Sequence, residues 1–461
     1  GIIYGTNRGH SCVQMESRMT AREESLNITQ SEDCLVLNIW TPNMGNNTSS
    51  NDTSLKPVMF WIHGGALTMG SIAMYNGSVL ATNDVVVVAV NYRLGWFGFM
   101  YGDREDAPGN MGFYDQLLAL KWVRDNIHLF GGDGDHITIF GESAGSWSVS
   151  AHILSPLSKG LFKRAIMQSG AHFYNKDRDV ITKSEALLMA KELANRLNCS
   201  DSDNWLKCLR GVHIQDILSY QFNHTRHVIH INEMKASWAI FPVLGTKFMP
   251  FSAQKTFANK IYDSDIDIMA GITKNEGSML SEMFLGVPEN LTQNLFKELV
   301  VNIDDLFHGL NADNVTDFYL RGVNESSSTE LRQAFYGLYG DLFINCPTYL
   351  FTKQMAKHMM NKQNVYFYEL TYQMSLFVEM FGLDEETVGI IHGADIPFVF
   401  GMPVLQSEFF TPEDVDFSRL VMKLWTNFAK YGKPDEQWPK LLGDNNLISV
   451  RDLNPGHMDR Y

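Results

Sequence analysis

The sequence predicts an α/β fold in which a central, mostly parallel, twisted sheet is flanked by helices. Short β-branched runs alternate along the chain with longer helical patterns, as crossover connections between parallel strands require. The runs end in turn signals, and in open sheets of this kind ligands gather beyond the carboxyl ends of the strands. The chain has 461 residues, 45% apolar and 19% charged, which suffices for one large core. With neither an internal repeat nor a linker, residues 1–461 are expected to form a single domain.

In chain order, Asn43 to Ser54 reads as a polar loop between strands, and Val58 to Ile62 as a strand leading into His63-Gly64-Gly65. Val85 to Val90 leads into Asn91-Tyr92-Arg93, and Ile137 to Phe140 leads into Gly141. Ala165 to Gln168, Ile266 to Ala270 and Val365 to Leu370 read as further strands. A helix is expected over Ser184 to Leu197, with Thr182 and Glu185 as its capping box. Another is expected over Phe417 to Tyr431, where Leu420, Val421, Leu424 and Phe428 share one face and Gly432 stops it. The region from about Gly286 to Arg332 reads as an inserted helical and loop segment.

The chemistry concentrates in Phe140-Gly141-Glu142-Ser143-Ala144-Gly145, a Gly-x-Ser-x-Gly between a strand and a helical pattern. In that context Ser143 is expected on a strained turn that exposes its hydroxyl, with Gly141 and Gly145 kept small by neighbouring backbone. The α/β-hydrolase fold carries such an elbow, with Ser143 as nucleophile. A serine nucleophile needs a base and preorganised donors for the oxyanion. His63-Gly64-Gly65-Ala66 follows a buried strand and by itself reads as a glycine turn; paired with the elbow, it offers the amides of Gly65 and Ala66, beside that of Ala144, as an oxyanion hole. Fourteen histidines compete for the role of base. The chain order nucleophile, acid, histidine selects His392, late in the sequence, and Glu276, which follows the Ile266 strand. Asp265, Asp384 and Asp395 remain alternatives for the acid on spacing alone.

These residues sit within longer matching stretches: SEDCLVLNIWTP at 31–42, WIHGGA, NYRLGWFGF at 91–99, GNMGFYDQLLALKWVRDNI at 109–127, FGGDGDHITIFGESAGSWSV and LFKRAIMQSG at 161–170. Along nearly its whole length the chain resembles the type-B carboxylesterase and cholinesterase family. The resemblance implies a triad of Ser143, Glu276 and His392, and disulfides joining Cys12 to Cys34 and Cys199 to Cys208. It also implies that some sixty residues usual before Cys12, and a C-terminal helical segment with the mate of Cys346, are expected to be missing. In cholinesterases a tryptophan ten residues before the cysteine of the SEDC segment holds quaternary ammonium by cation-π contact; here Glu24 takes that position. Met279 and Leu280 replace the family's aromatic residues shortly after the acid. Choline esters are therefore disfavoured. Trp238, Ile240 and Phe241 fall where the family builds its acyl pocket, or else are plain core; Glu142 is expected to line the substrate pocket beside Ser143.

The expected function is a serine carboxylic-ester hydrolase working through an acyl-enzyme on Ser143, a general carboxylesterase, with no metal or cofactor required. The rivals are a choline esterase and a catalytically silent adhesion or binding protein on the same scaffold. Asp and Glu outnumber Lys and Arg by 52 to 37, which disfavours nucleic acid as a partner. The Val85 to Val90 run falls far short of the ~20 residues a membrane-spanning helix needs. A small-molecule ester is the expected ligand; a homo-oligomer is left open. Sequons at Asn27, Asn46, Asn47, Asn51, Asn76, Asn198, Asn223, Asn290, Asn314 and Asn324 exceed the roughly four expected by chance. They point to a secreted glycoprotein, and the short segments between Cys12 and Cys34 and between Cys199 and Cys208 suit disulfides there.

Overall fold

A computed structural model describes residues 5, 9–15, 27–42, 54–172, 181–200, 204–226, 241–307, 309–359, 362–443 and 447–457. Glu24, Trp238, Ile240, the loop from Asn43 to residue 53 and the sequons at Asn46, Asn47 and Asn51 lie outside them.

Eight strands form the central sheet: β1 (Leu37–Trp40), β2 (Lys56–Ile62), β3 (Val86–Val90), β4 (Gly132–Glu142), β5 (Arg164–Gln168), β6 (Asp267–Thr273), β7 (Val365–Leu370) and β8 (Arg451–Leu453). Their spatial order is β8-β7-β6-β5-β4-β2-β3-β1. All pairs are parallel except β1 with β3. The central strands are apolar on both faces because helices cover both. Successive side chains of β2 therefore feed two different cores. Val58, Phe60 and Ile62 pack with Val86, Val88 and Ile139 on one face, under α1 (Met111–Asn126) and α2 (Ala144–Leu154). Met59 and Trp61 pack with Val87, Ala89 and Phe140 on the other.

Helix α3 (Lys183–Arg196) is capped as expected: Glu185 donates its amide to Thr182 Oγ1, and the Thr182 amide donates to Glu185 Oε2. Beyond β6 comes α4 (Glu276–Leu285), then α5 (Gln293–Phe307), α6 (Ala312–Tyr319) and α7 (Ser328–Gly340). These helices bury Leu280, Phe296, Leu331, Phe335 and Tyr339 in a core of their own, so the region expected as a helical insertion is a packed layer. After α8 (Cys346–Met359) and β7, the short α9 (Ile396–Phe400) and the long α10 (Pro412–Tyr431) cover the second sheet face.

Two elements differ most from the sequence expectation in extent. Strand β4 begins at Gly132, because polar residues that read as loop pair with Lys56 and Pro57 ahead of a register shift. Helix α10 begins at Pro412, where Thr411 and Asp414 form a capping box and Pro412 supplies a preset first turn. Disulfides join Cys12 to Cys34 and Cys199 to Cys208, with Cα separations of 4.9 and 5.6 Å, while Cys346 is a free thiol. Among the described residues no helix is long and apolar enough to cross a membrane.

Candidate active site

Parallel strands bring the ends of β2, β4 and β6 to one edge of the sheet, and the sequence-selected residues gather there. Between β4 and α2, Ser143 has φ 56° and ψ −122°, a backbone conformation costly for any residue with a side chain. The Ser143 amide is tied to the Gln168 carbonyl at 2.9 Å. The flanking glycines are sterically required, since a Cβ on Gly145 would lie 2.0 Å from the Ile62 carbonyl oxygen and one on Gly141 would lie 2.6 Å from it. The strain is thus held in place by β2 on one side and β5 on the other.

The His63-Gly64-Gly65 run abuts this elbow. A Cβ on Gly64 would come within 3.1 Å of the Ser143 Cβ and 2.8 Å of the Glu142 carbonyl oxygen. Gly65, Ala66 and Leu67 all have positive φ, at 105°, 54° and 60°. The amides of Gly65, Ala66 and Ala144 donate to no acceptor among the described residues. His63 is anchored, with its Nδ1 2.9 Å from the Gly64 carbonyl and its ring stacked on Tyr92. Burial lowers its pKa to about 4, against the raising effect of the Gly64 carbonyl.

Glu276 and His392 meet although 116 residues apart, with Nδ1 2.5 Å from Glu276 Oε2. The other carboxylate oxygen accepts the Thr273 amide at 2.7 Å, which fixes the acid on the first residue of α4. Asn275 exchanges hydrogen bonds with Ile390, its amide donating to the Ile390 carbonyl and its Oδ1 accepting the Ile390 amide at 3.0 Å. Those bonds clamp the acid-bearing turn onto the loop of His392. Gly389 has φ 62°, and a Cβ there would lie 2.4 Å from Asn275 Oδ1. The three alternative acids are engaged elsewhere: Asp395 accepts from Tyr368 and Gln168, Asp265 from Gln363, and Asp384 from Thr387.

The far side of the imidazole holds an arrangement that sequence reasoning did not foresee. His392 Nε2 lies 3.0 Å from Glu142 Oε1, within ion-pair distance but without hydrogen-bond alignment, and the Ser143 hydroxyl makes no hydrogen bond among the described residues. Glu142, Glu276, His392 and Asp395 are all buried. Burial raises the Glu142 pKa to about 8, with Asp395 and Glu276 adding to the rise and His392 opposing it. For His392 burial favours the neutral ring, but Glu142, Glu276 and Asp395 outweigh it and raise the pKa to about 9.

Met279 packs beside Ile391, and Leu280 is buried in the helical layer. Phe241 stacks on Trp147 at 6.1 Å, and the same indole faces His172 at 5.5 Å and Phe343 at 5.6 Å. Trp147 follows Ser143 by one helical turn, donating its amide to the Ser143 carbonyl. It could have been found in the sequence from that spacing alone. Among the described residues no group of three or more His, Cys, Asp or Glu side chains is placed to hold a metal ion.

The carboxylesterase family profile matches residues 1–458. Acetylcholinesterase-1 of Trittame loki is 34% identical over 95% of this chain and 79% of its own length. Pyrethroid hydrolase Ces2a of Mus musculus is 33% identical over 98% of this chain and 78% of its own. Cholinesterase of Mus musculus is 36% identical over 89% and 66%, respectively. Across so much of both sequences, with a strained serine elbow beside free amides and a buried carboxylate-imidazole pair, the chain belongs to the carboxylesterase family.

Proposed function

We propose that this protein hydrolyses carboxylic esters through an acyl-enzyme on Ser143, with His392 as base and acid and Glu276 as its partner. Ser143 Oγ attacks the carbonyl carbon while His392 Nε2 takes its proton. The amides of Gly65, Ala66 and Ala144 bind the oxyanion. The bond to the alcohol oxygen then breaks as that oxygen receives the proton from His392. Water then attacks the acyl carbon as Nε2 takes its proton, the bond to Ser143 Oγ breaks, and His392 returns the proton to Oγ as the acid leaves. Glu276 orients the ring through Nδ1 and stabilises the imidazolium that forms. No metal or cofactor enters these steps. Outside cytosolic reducing conditions the two disulfides persist, and secretion is the compartment that suits them.

The observation that carries this reading is the convergence at one sheet edge of a strained serine, three amides with no acceptor among the described residues and a buried imidazole held by a carboxylate. A burst of p-nitrophenol equal to the enzyme concentration, followed by slower turnover, is the expected result with p-nitrophenyl esters. Ser143→Ala abolishes both; a burst that survives this change removes Ser143 from the chemistry. Uncharged esters are the proposed substrates rather than choline esters, since Glu24, Met279 and Leu280 stand where the family resemblance leads to aromatic residues. Comparing short-acyl, long-acyl and choline esters decides it, and a preference for choline esters reverses the assignment.

A further inference from the structure

We propose that Gln14 and Asn91 are positioning residues that fasten the loop from Gly65 to Ile72 to the Cys12–Cys34 disulfide, so that the oxyanion-binding amides of Gly65 and Ala66 are aimed before substrate arrives. The inference rests on the hydrolase reading above and deepens it. Gln14 is buried, and its carboxamide serves both backbone groups of Gly70 as a neighbouring strand would. Its Oε1 accepts the Gly70 amide at 2.8 Å and its Nε2 donates to the Gly70 carbonyl at 3.0 Å. The same Nε2 donates to the Cys12 carbonyl at 3.1 Å. Asn91, also buried, repeats the pattern at Ile72. Its Oδ1 accepts the Ile72 amide at 3.0 Å, and its Nδ2 donates to the carbonyls of Cys34 at 3.2 Å and His10 at 3.1 Å. Each half of the disulfide is thus joined through one side-chain amide to the exit of the loop.

That exit bears directly on the proposed donors. The Gly65 carbonyl accepts the amides of Thr68 and Met69, both at 3.0 Å, which closes the loop into one tight turn. A Cβ on Gly65 would lie 2.2 Å from the Met69 carbonyl oxygen. One on Gly70 would lie 2.7 Å from the Gly64 carbonyl oxygen and 2.6 Å from His63 Nδ1, so the entry and exit of the turn touch. Gly70 is buried at φ 110° with no backbone partner among the described residues, and without Gln14 both of its polar groups would be left unsatisfied. Gln14 is anchored at its own end, where its amide donates to Gln30 Oε1 at 2.9 Å. Gln30 and Ser31 in turn pair with Ser11 and Cys12. Donors stabilise an oxyanion best when they need not move as charge develops. An unclamped Gly70 lets the turn rock as a unit, and a shift of about 1 Å in such donors can cost roughly 100-fold in rate.

The experiment compares wild type with Gln14→Met, Gln14→Glu and Asn91→Leu. Gln14→Met and Asn91→Leu remove both hydrogen-bonding functions at similar size, whereas Gln14→Glu keeps an acceptor but loses the donor to the Gly70 and Cys12 carbonyls. For each folded enzyme, kcat/KM for p-nitrophenyl acetate is measured beside the inhibition constants of an aryl trifluoromethyl ketone and of the corresponding secondary alcohol. Ser143 Oγ adds to the ketone carbonyl carbon as its proton passes to His392, and the ketone oxygen becomes the oxyanion; the alcohol fills the same space and forms no adduct. The variants are expected to lose about 10- to 100-fold in kcat/KM and in ketone affinity alike, with alcohol affinity unchanged. Equal losses for ketone and alcohol would mean general damage to the pocket and overturn the proposal, as would a folded variant at either position with wild-type values. Should the variants fail to fold, amide exchange in wild type decides: protected amides at Gly70 and Ile72 support the clamp, and free exchange at either overturns it. A wild type that hydrolyses no ester sinks the hydrolase reading itself, whereas an active wild type with an indifferent Gln14→Met sinks only the clamp.

Discussion

At the scale of single residues, the site depends on backbone conformations that few side chains tolerate. Ser143 holds φ 56° because Gly141 and Gly145 let the Ile62 carbonyl approach, so the proposed nucleophile is presented by strain that neighbouring strands maintain. The amide of Ala144, the first residue of α2, is the most separable part of the proposed oxyanion hole. Proline is compatible with a first helical position but lacks the donor. Ala144→Pro is expected to lower kcat roughly 10²–10³-fold. Steady-state kinetics on folded protein check this, and near-normal turnover removes that amide from the mechanism. Ser143, Glu276 and His392 were legible because a Gly-x-Ser-x-Gly elbow and a fixed chain order are local or ordinal signals. The contact of Glu142 with Nε2 was not, since it depends on the rotamer of a side chain brought against a loop 250 residues later. Asn275 and Gly389 escaped for the same reason: their mutual requirement is a 2.4 Å clearance created only when two distant turns meet.

At the scale of elements, the strands were legible from apolar runs that end in turns, while their limits depended on pairing. Helix α10 shows how one element serves both packing and site. Its Trp425 is fully buried, sets its indole 5.1 Å from the Tyr368 ring in a tilted arrangement and donates to Gln168 Oε1 at 3.1 Å. Gln168 in turn donates to Asp395, and its carbonyl accepts the Ser143 amide. The stripe of Leu420, Val421, Leu424 and Phe428 announced a core-facing helix, yet nothing in its spacing announced the hydrogen bond that Trp425 sends to Gln168 beneath Ser143. Trp425→Ala is expected to cost about 3–5 kcal/mol of stability, read from the urea midpoint at unchanged m-value. A loss under 1 kcal/mol would mean that the helix does not bury this residue as described.

At the scale of the whole molecule, buried histidines set the response to pH. Burial lowers the pKa of His152 and His172 to about 3, as it lowers that of His63 to about 4. Each folded value is depressed below the unfolded 6.5, so the stability these groups contribute is complete above pH 6.5 and is lost as pH falls toward 4 and 3. The slope approaches about 1.4 kcal/mol per pH unit for each histidine. His392 has the opposite sign, contributing fully below pH 6.5 and losing its contribution as pH rises through about 9. Thermal midpoints measured from pH 6.5 to pH 4 are expected to fall with a steepening slope; a flat profile over that range would show that these rings are not buried neutral. The two-sided sheet was legible from composition and alternation. The independent core formed by α4 to α7 was not, because Leu280, Phe296, Phe335 and Tyr339 carry a helical pattern that says each helix has a buried face without saying against what.

The central claim, that Ser143 becomes covalently acylated, is tested most directly by mass spectrometry of enzyme quenched during turnover of a slowly deacylated p-nitrophenyl ester. The peptide containing Ser143 is expected to carry one added acyl group, absent in Ser143→Ala. Turnover with no adduct on that peptide, or an acyl group found on another residue, would contradict the account.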